Sequence, residues 1–310
     1  MNKFLKYNQR NPLPDERRIS YSQFAMYSTC PKHWELAYVK NLRTFSQSIH
    51  TIFGTAFHET LQNYLTVMFE QSVKSANEID INKYLADQMY SGYKEAVDKM
   101  DGHFSTEREL NEFYSDGVAI LDWFKKRRGQ YFSAKNEELI GIEVPIYHPV
   151  NETNDKVMML GYLDIVVRDK RDGKITIIDI KTSTMGWNKY QKSDKTKTSQ
   201  LVLYKKYFAE QYGFDVEKID IKYMIVKRKL IEGAMFPQKR ITDFMPASGK
   251  PTRNKLAKSI ESFVDLNFKE DGSFMTKDHV AVAGKNNKNC KWCEFKDQPT
   301  LCPPHKRIKE

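Results

Sequence analysis

The chain has no apolar run of the ~18 residues a membrane-spanning helix needs. Its opening, Met1-Asn2-Lys3-Phe4-Leu5-Lys6, lacks the apolar stretch of a secretory signal, so a cytoplasmic protein is expected. Cysteine is scarce, four in 310 residues. In a reducing compartment, grouped thiols bind metal more often than they pair with one another. Internal repeats and low-complexity tracts are also missing, which excludes solenoids and extended disordered segments. What is present is a globular composition with 17 Tyr and 18 Phe. Lys and Arg total 50 against 40 Asp and Glu, a net charge of +10, which favours a polyanionic partner, nucleic acid first.

Periodicity gives the organisation. Residues 1–18 read as an irregular basic arm. Ser20 and Gln23 have capping-box spacing before a helix to about Ser28, and Pro31 suits the first turn of a second helix through Tyr38. Phe53, Phe57, Leu61, Tyr64, Leu65 and Met68 recur at helical spacing over 51–69. Further helices are expected at 79–99, 107–132 and 252–269. Strands are expected at Glu143–Tyr147, in a central hairpin, and at Ile219–Lys227, with a helix over Thr198–Gln211. The chain therefore divides into a helical region 1–135, a β-rich core 136–270 and a polar tail 271–310, an α/β or α+β protein.

The hairpin carries the chemistry. Lys170-Arg171-Asp172-Gly173 makes a four-residue loop between two apolar runs. Symmetric closure opposes residues whose numbers sum to 343, among them Asp164 and Asp179. Opposed Cβ atoms lie roughly 4.5–5.5 Å apart. Two carboxylates at that distance repel unless a cation lies between them. Lys181, two residues beyond Asp179, shares its face. A solvated salt bridge is the plain alternative, but the strand is otherwise isoleucine-rich, and charges so placed have a partner or a use. Asp164 and Asp179 would hold a metal, the Ile180 carbonyl could join them, and Lys181 would position or deprotonate a water or stabilise developing charge.

His58 lies beside the apolar stripe of the 51–69 helix, one turn after Gly54, which admits close approach of another backbone. It reads either as a structural histidine or as a ligand for manganese, iron or zinc. Glu59 reads as surface. Gln200 and Tyr204 share a helix face. Lys189, Lys192, Lys195 and Lys197 read either as a mobile phosphate-contacting loop or as a solvated charge run. Cys290 and Cys293 form a Cys-x-x-Cys pair, with Cys30 far upstream and Cys302 downstream. A four-cysteine metal site explains a tail with almost no apolar residues. One pair plus two singles favours an iron–sulfur cluster, with structural zinc as the alternative.

Together these residues resemble the RecB-type branch of the PD-(D/E)XK nucleases, in particular members with an iron–sulfur cluster, such as the AddAB nuclease subunit and CRISPR-associated exonucleases. The matching motifs are Ser20 to Cys30-Pro31, Gly54 to His58, Gly161-Tyr162-Leu163-Asp164, Asp179-Ile180-Lys181-Thr182 and Gln200 to Tyr204, followed by the three downstream cysteines. The resemblance implies a restriction-endonuclease-like core with a mixed sheet flanked by helices. It implies a site of His58, Asp164, Asp179 and Lys181 with magnesium or manganese, and a [4Fe–4S] cluster on Cys30, Cys290, Cys293 and Cys302. A DNA exonuclease acting at single-stranded or resected ends is expected. A structure-specific endonuclease and a non-catalytic DNA-end binding module are the alternatives. No Walker A motif is present, so any helicase or recombination motor is a partner. Composition and resemblance together point to a phage source, hence the host cytoplasm.

Overall fold

Alternating β-branched residues draw the middle of the chain into strands. The computed structural model describes residues 16–151 and 154–309. Strands β1 (Arg17–Ile19), β2 (Glu137–Pro149), β3 (Val157–Asp169), β4 (Ile175–Ser183), β5 (Ile219–Lys227) and β6 (Ile241–Phe244) form a mixed sheet in the order β1-β3-β4-β5-β6, with β2 also paired to β3. The β1–β3 and β4–β5 ladders are parallel, whereas β3–β4 and β5–β6 are antiparallel. The helices are α1 (Tyr21–Thr29), α2 (Pro31–Trp34), α3 (Ile49–Glu70), α4 (Val73–Glu78), α5 (Ile81–Met100), α6 (Glu107–Arg127), α7 (Lys189–Ser193), α8 (Lys195–Tyr212) and α9 (Lys250–Asn267).

These elements make two compact units that interleave along the chain, unlike the three contiguous stretches expected from sequence. One holds residues 45–144 and 162–248. Among the described residues, the other holds 16–44, 145–161 and 249–309. Strands β2 and β3 contribute to both.

In the first unit, α3 is capped by Ser48, whose side chain accepts from the Thr51 amide. Phe53, Phe57, Leu61 and Leu65 on α3, Leu85 and Met89 on α5, and Phe113, Ile120 and Phe124 on α6 form one core with Ile165, Ile178 and Ile180 from the sheet. Gly117 lets α6 approach closely, since a Cβ there would meet Leu85 Cδ2 at 2.6 Å. The β3–β4 register follows the expected hairpin. Ile165 pairs with Ile178, and the ladder continues to Arg168 and Ile175. The loop closes with the Asp169 amide donating to the Lys174 carbonyl (2.9 Å). Gly173 supplies the positive φ of +74°.

The second unit departs more from expectation. Residues 17–19, expected as part of an irregular arm, form β1 against Val157–Met159; residues 1–15 lie outside the described chain. Ser20 caps α1 by accepting from the Gln23 amide, but Gln23 Nε2 donates to the Arg18 carbonyl, so the reciprocal half of the box is absent. Pro31 opens α2, which passes at Glu35–Val39 into a π-helical turn. That turn buries Glu35 between Lys40 Nζ (2.9 Å) and Lys32 Nζ (2.9 Å), with the His279 amide donating to Glu35 Oε2 (3.0 Å). Burial pulls Glu35 upward, but the hydrogen bonds from Lys40, Lys32 and His279 outweigh it and hold the carboxylate below its usual range. Phe295 and Cys302 from the tail pack on Leu36, Ala37 and Ala281.

Candidate active site and cysteine centre

Strand β4 turns Ile178 and Ile180 into the helical core, so Asp179 and Lys181 take the opposite face. Asp179 is 3% exposed, and Lys181 Nζ lies 2.7 Å from its Oδ2. That oxygen has this charge contact but no hydrogen bond of good geometry among the described residues, so it keeps lone-pair capacity. Lys181 Nζ also donates to Gln200 Oε1 on α8 (3.3 Å), and Gln200 in turn hydrogen-bonds the buried Tyr204 hydroxyl.

The hairpin opens at this point. The register that pairs Ile165 with Ile178 would next bond Leu163 to Ile180 across the strands. Instead, Asp164 Oδ2 accepts the Ile180 amide at 2.7 Å. Asp164 thus takes a backbone partner from β4 and faces the same spot as Asp179. His58 reaches this spot from α3, with Nδ1 3.5 Å from Asp164 Oδ2 and a hydrogen bond to the Ile180 backbone. Gly54 is close to the Thr182 side chain: a Cβ there would lie 3.3 Å from Oγ1.

Burial and the mutual repulsion of the acids set the electrostatics of the site. Burial pushes Asp164 well above the usual carboxylate range, and the Asp179 charge adds to it. Burial also raises Asp179, against the pull of Lys181. Burial draws Lys181 down, but Asp179 and Asp164 outweigh it, so its net shift is upward. Burial, aided by the Lys181 charge, lowers His58 to about 4, leaving a neutral imidazole at pH 7. Two buried acids, a neutral imidazole and a main-chain carbonyl are a donor set that fits a divalent cation.

Two residues here were not singled out from the sequence. Gln62, one turn after His58, donates from Nε2 to Glu143 Oε1 (2.6 Å) and to the Asp164 carbonyl (3.2 Å). Glu143 sits within β2 at φ +49°, a left-handed conformation that costs a non-glycine residue on the order of 1 kcal/mol. Its charge adds to the upward push on Asp164. The His58–Gln62 spacing of four was a readable signal for Gln62; Glu143 had none.

The lysine-rich segment is not a loop. Lys189 and Lys192 lie on α7, which Asn188 and Gln191 close with a full capping box, and Lys195 and Lys197 lie in the first turn of α8. Lys192 Nζ stands 5.6 Å from the Phe244 ring centroid.

The second unit brings Cys30, Cys290, Cys293 and Cys302 to the wall of one small cavity. Cys30 links α1 to α2, and its Sγ accepts the Val282 amide at 3.3 Å. Cys290 and Cys293 share a turn, with the Cys293 amide donating to the Cys290 carbonyl. Burial pushes the Cys293 thiol up to about 11, and the charges of Glu294, Cys30 and Cys302 add to it. Four thiols around one cavity suit a thiolate-bound metal centre. A second donor group overlaps it: the ligand atoms of His33, Cys293 and Glu294 lie within 4.8 Å of one another.

A mixed sheet whose opened hairpin gathers two acids and a lysine beside a neutral histidine defines a nuclease of the restriction-endonuclease-like class. The chain matches the family model of the PD-(D/E)XK nuclease superfamily over residues 18–302 and belongs to that superfamily. Membership implies metal-dependent nuclease activity. No curated protein matches the chain. No helix among the described residues is long and apolar enough to cross a membrane.

Proposed function

We propose that the protein is a DNA exonuclease of the RecB-like type, hydrolysing phosphodiester bonds at single-stranded or resected ends. The observation that carries this reading is the convergence of Asp164, Asp179 and Lys181 where the hairpin opens. His58, Asp164, Asp179 and the Ile180 carbonyl would hold magnesium or manganese. The bound ion would supply Lewis-acid stabilisation of phosphate charge and an activated water. Lys181 adds a positive charge beside the scissile phosphate, and Gln200 with Tyr204 holds it in place. The net charge of +10 and the lysines on α7 and α8 favour the strand. Its setting is DNA repair or recombination in a cytoplasm, with a helicase or recombination protein as partner.

The cysteine centre is assigned a [4Fe–4S] cluster with a structural role. Cys30, Cys290, Cys293 and Cys302 would hold it, fastening the tail to the α1–α2 junction.

End-labelled linear DNA, incubated with manganese or magnesium, tests the nuclease. Cutting is expected in the wild type and absent in Asp179→Ala. Cutting that persists in the variant removes this site assignment, and cleavage of closed circular single strands selects an endonuclease. Brown protein absorbing near ~400 nm is expected for the cluster; colourless protein with one zinc per chain replaces it with zinc.

A further inference from the structure

Beside the metal-site face of α3 lies a separate cavity of about 260 Å³, formed by α3, α5 and the segment ahead of α3. It falls just under the ~300–1,000 Å³ of pockets for drug-sized ligands, so it suits one flat ring system better than a chain of nucleotides. Its floor is apolar, from Ile52, Ala56 and Ala96. Phe45 stands at its edge, half exposed, with Lys99 Nζ 5.7 Å from the ring centroid. Gln47 Oε1 is buried at the cavity and has no hydrogen-bond partner among the described residues. A buried acceptor without a partner carries a desolvation cost that an incoming N–H would relieve. An apolar floor, an accessible aromatic ring and an unpaired amide oxygen are what a nucleobase uses: faces to stack and an edge to bond.

The rim gives little pull on the other part of a nucleotide. Glu59 borders the cavity, and the one lysine there, Lys99, is paired with Glu95 at 2.6 Å, so the rim carries no net positive charge to hold a phosphate. Position supplies the link to the nuclease site. Thr55 and Glu59, which line the cavity, flank His58 on the same helix. Three residues of helix advance the axis by about 4.5 Å. At 3.6 residues per turn Thr55 and Glu59 stand about 60–100° around the helix from His58, so the cavity lies on the adjoining flank of α3, and a strand with one phosphate at His58 and Asp164 places a base there by running around that flank.

We infer that this cavity is a nucleobase subsite: one base of the DNA strand turns out of the stack, packs against Phe45 and donates an N–H to Gln47. This rests on the nuclease reading and adds to it a point of grip that acts on the base rather than the backbone. It would fix the phosphate register at the metal site.

The test uses the full chain with chelator present, so that binding is read without cutting. Single-stranded oligonucleotides carry 2-aminopurine at successive positions from each end. One position is expected to change fluorescence on binding to the wild type. Phe45→Ala, a change at an exposed residue, should abolish that signal and weaken binding about 5- to 100-fold. Gln47→Leu should weaken it by a smaller factor. An abasic residue at the sensitive position should weaken wild-type binding to the same extent, and Phe45→Ala should then have no further effect. If both variants bind intact and abasic strands as the wild type does while metal-dependent cutting remains, the subsite is overturned and the nuclease stands. If the wild type neither binds nor cuts DNA, the nuclease reading falls and the subsite with it.

Discussion

The hairpin site and the cysteine centre solve the same problem, holding chemically awkward groups in place, by opposite means. Around Asp164 and Asp179 an apolar core of three long helices and a sheet fixes the backbone, so the acids can be kept in mutual repulsion. Around the cysteines the apolar support is a small cluster of Leu36, Ala37, Ala281, Phe295 and Cys302. Where the core supplies the rigidity, site residues can be removed without loss of fold. Where it is thin, the ligands are expected to supply the fold themselves.

The largest effect that could break this comparison is catalytic. Asp179→Asn should lower cutting by about 10³-fold or more. Its companion Asp164→Asn should leave the metal-free protein as stable as the wild type or more so, read as melting temperature near pH 7. The sign follows from the raised folded pKa of Asp164: the protonated form is favoured in the fold, so stability is present at low pH and lost as pH rises through that value. A large fall in melting temperature for Asp164→Asn would mean that the acids support the fold.

Next in size is Cys293→Ser. It should destabilise the second unit by roughly 2–5 kcal/mol, by analogy with losing a disulfide cross-link in a small domain. Hydrogen exchange or limited proteolysis should locate the loss in residues 281–309. Uniform loss across the chain would contradict a local role.

Glu35→Gln sharpens the comparison within the second unit. Removing this charge from its two lysines should cost roughly 2–3 kcal/mol at pH 7, discounted because Lys40 is partly exposed. The folded pKa of Glu35 is depressed, so its contribution is present above the usual glutamate value near 4.5 and lost as pH falls through the folded value. His279 is lowered by burial against the upward pull of Glu35, so below its usual value near 6.5 its titration costs the variant more than the wild type, and the two are compared below the usual glutamate value. The difference between wild type and variant should therefore shrink on acidification; a constant difference would argue against the charge. Smallest is Asn188→Ala, which removes the cap of α7 and should cost about 1 kcal/mol locally. If α7 presents its lysines to DNA, affinity should fall modestly and more at low salt than at high.

The hairpin was legible because loop chemistry and β-branched runs determine register together, and a sum of residue numbers then places Asp164 opposite Asp179. The α3 and α8 residues were legible through helical spacing. Strand β1 was not, because its three residues derive their conformation from Val157–Met159, far away in sequence. The same holds for β6, whose short run Ile241-Thr242-Asp243-Phe244 is a strand only because β5 lies beside it. The π-helical turn at Glu35–Val39 and the left-handed Glu143 leave no periodic mark at all. Helix α7 carries no apolar periodicity among its lysines, and its one mark in the sequence is the Asn188–Gln191 capping box.

Asp164 also acts as a wedge. Its carboxylate occupies the amide that would otherwise zip β4 onto Leu163. Truncation to alanine would free that amide and let the strands close over the site, whereas asparagine keeps an oxygen for it. An inactive protein intended to capture DNA in a cutting-ready geometry is therefore better made with asparagine than with alanine, since the alanine form would be a differently shaped molecule as well as a silent one.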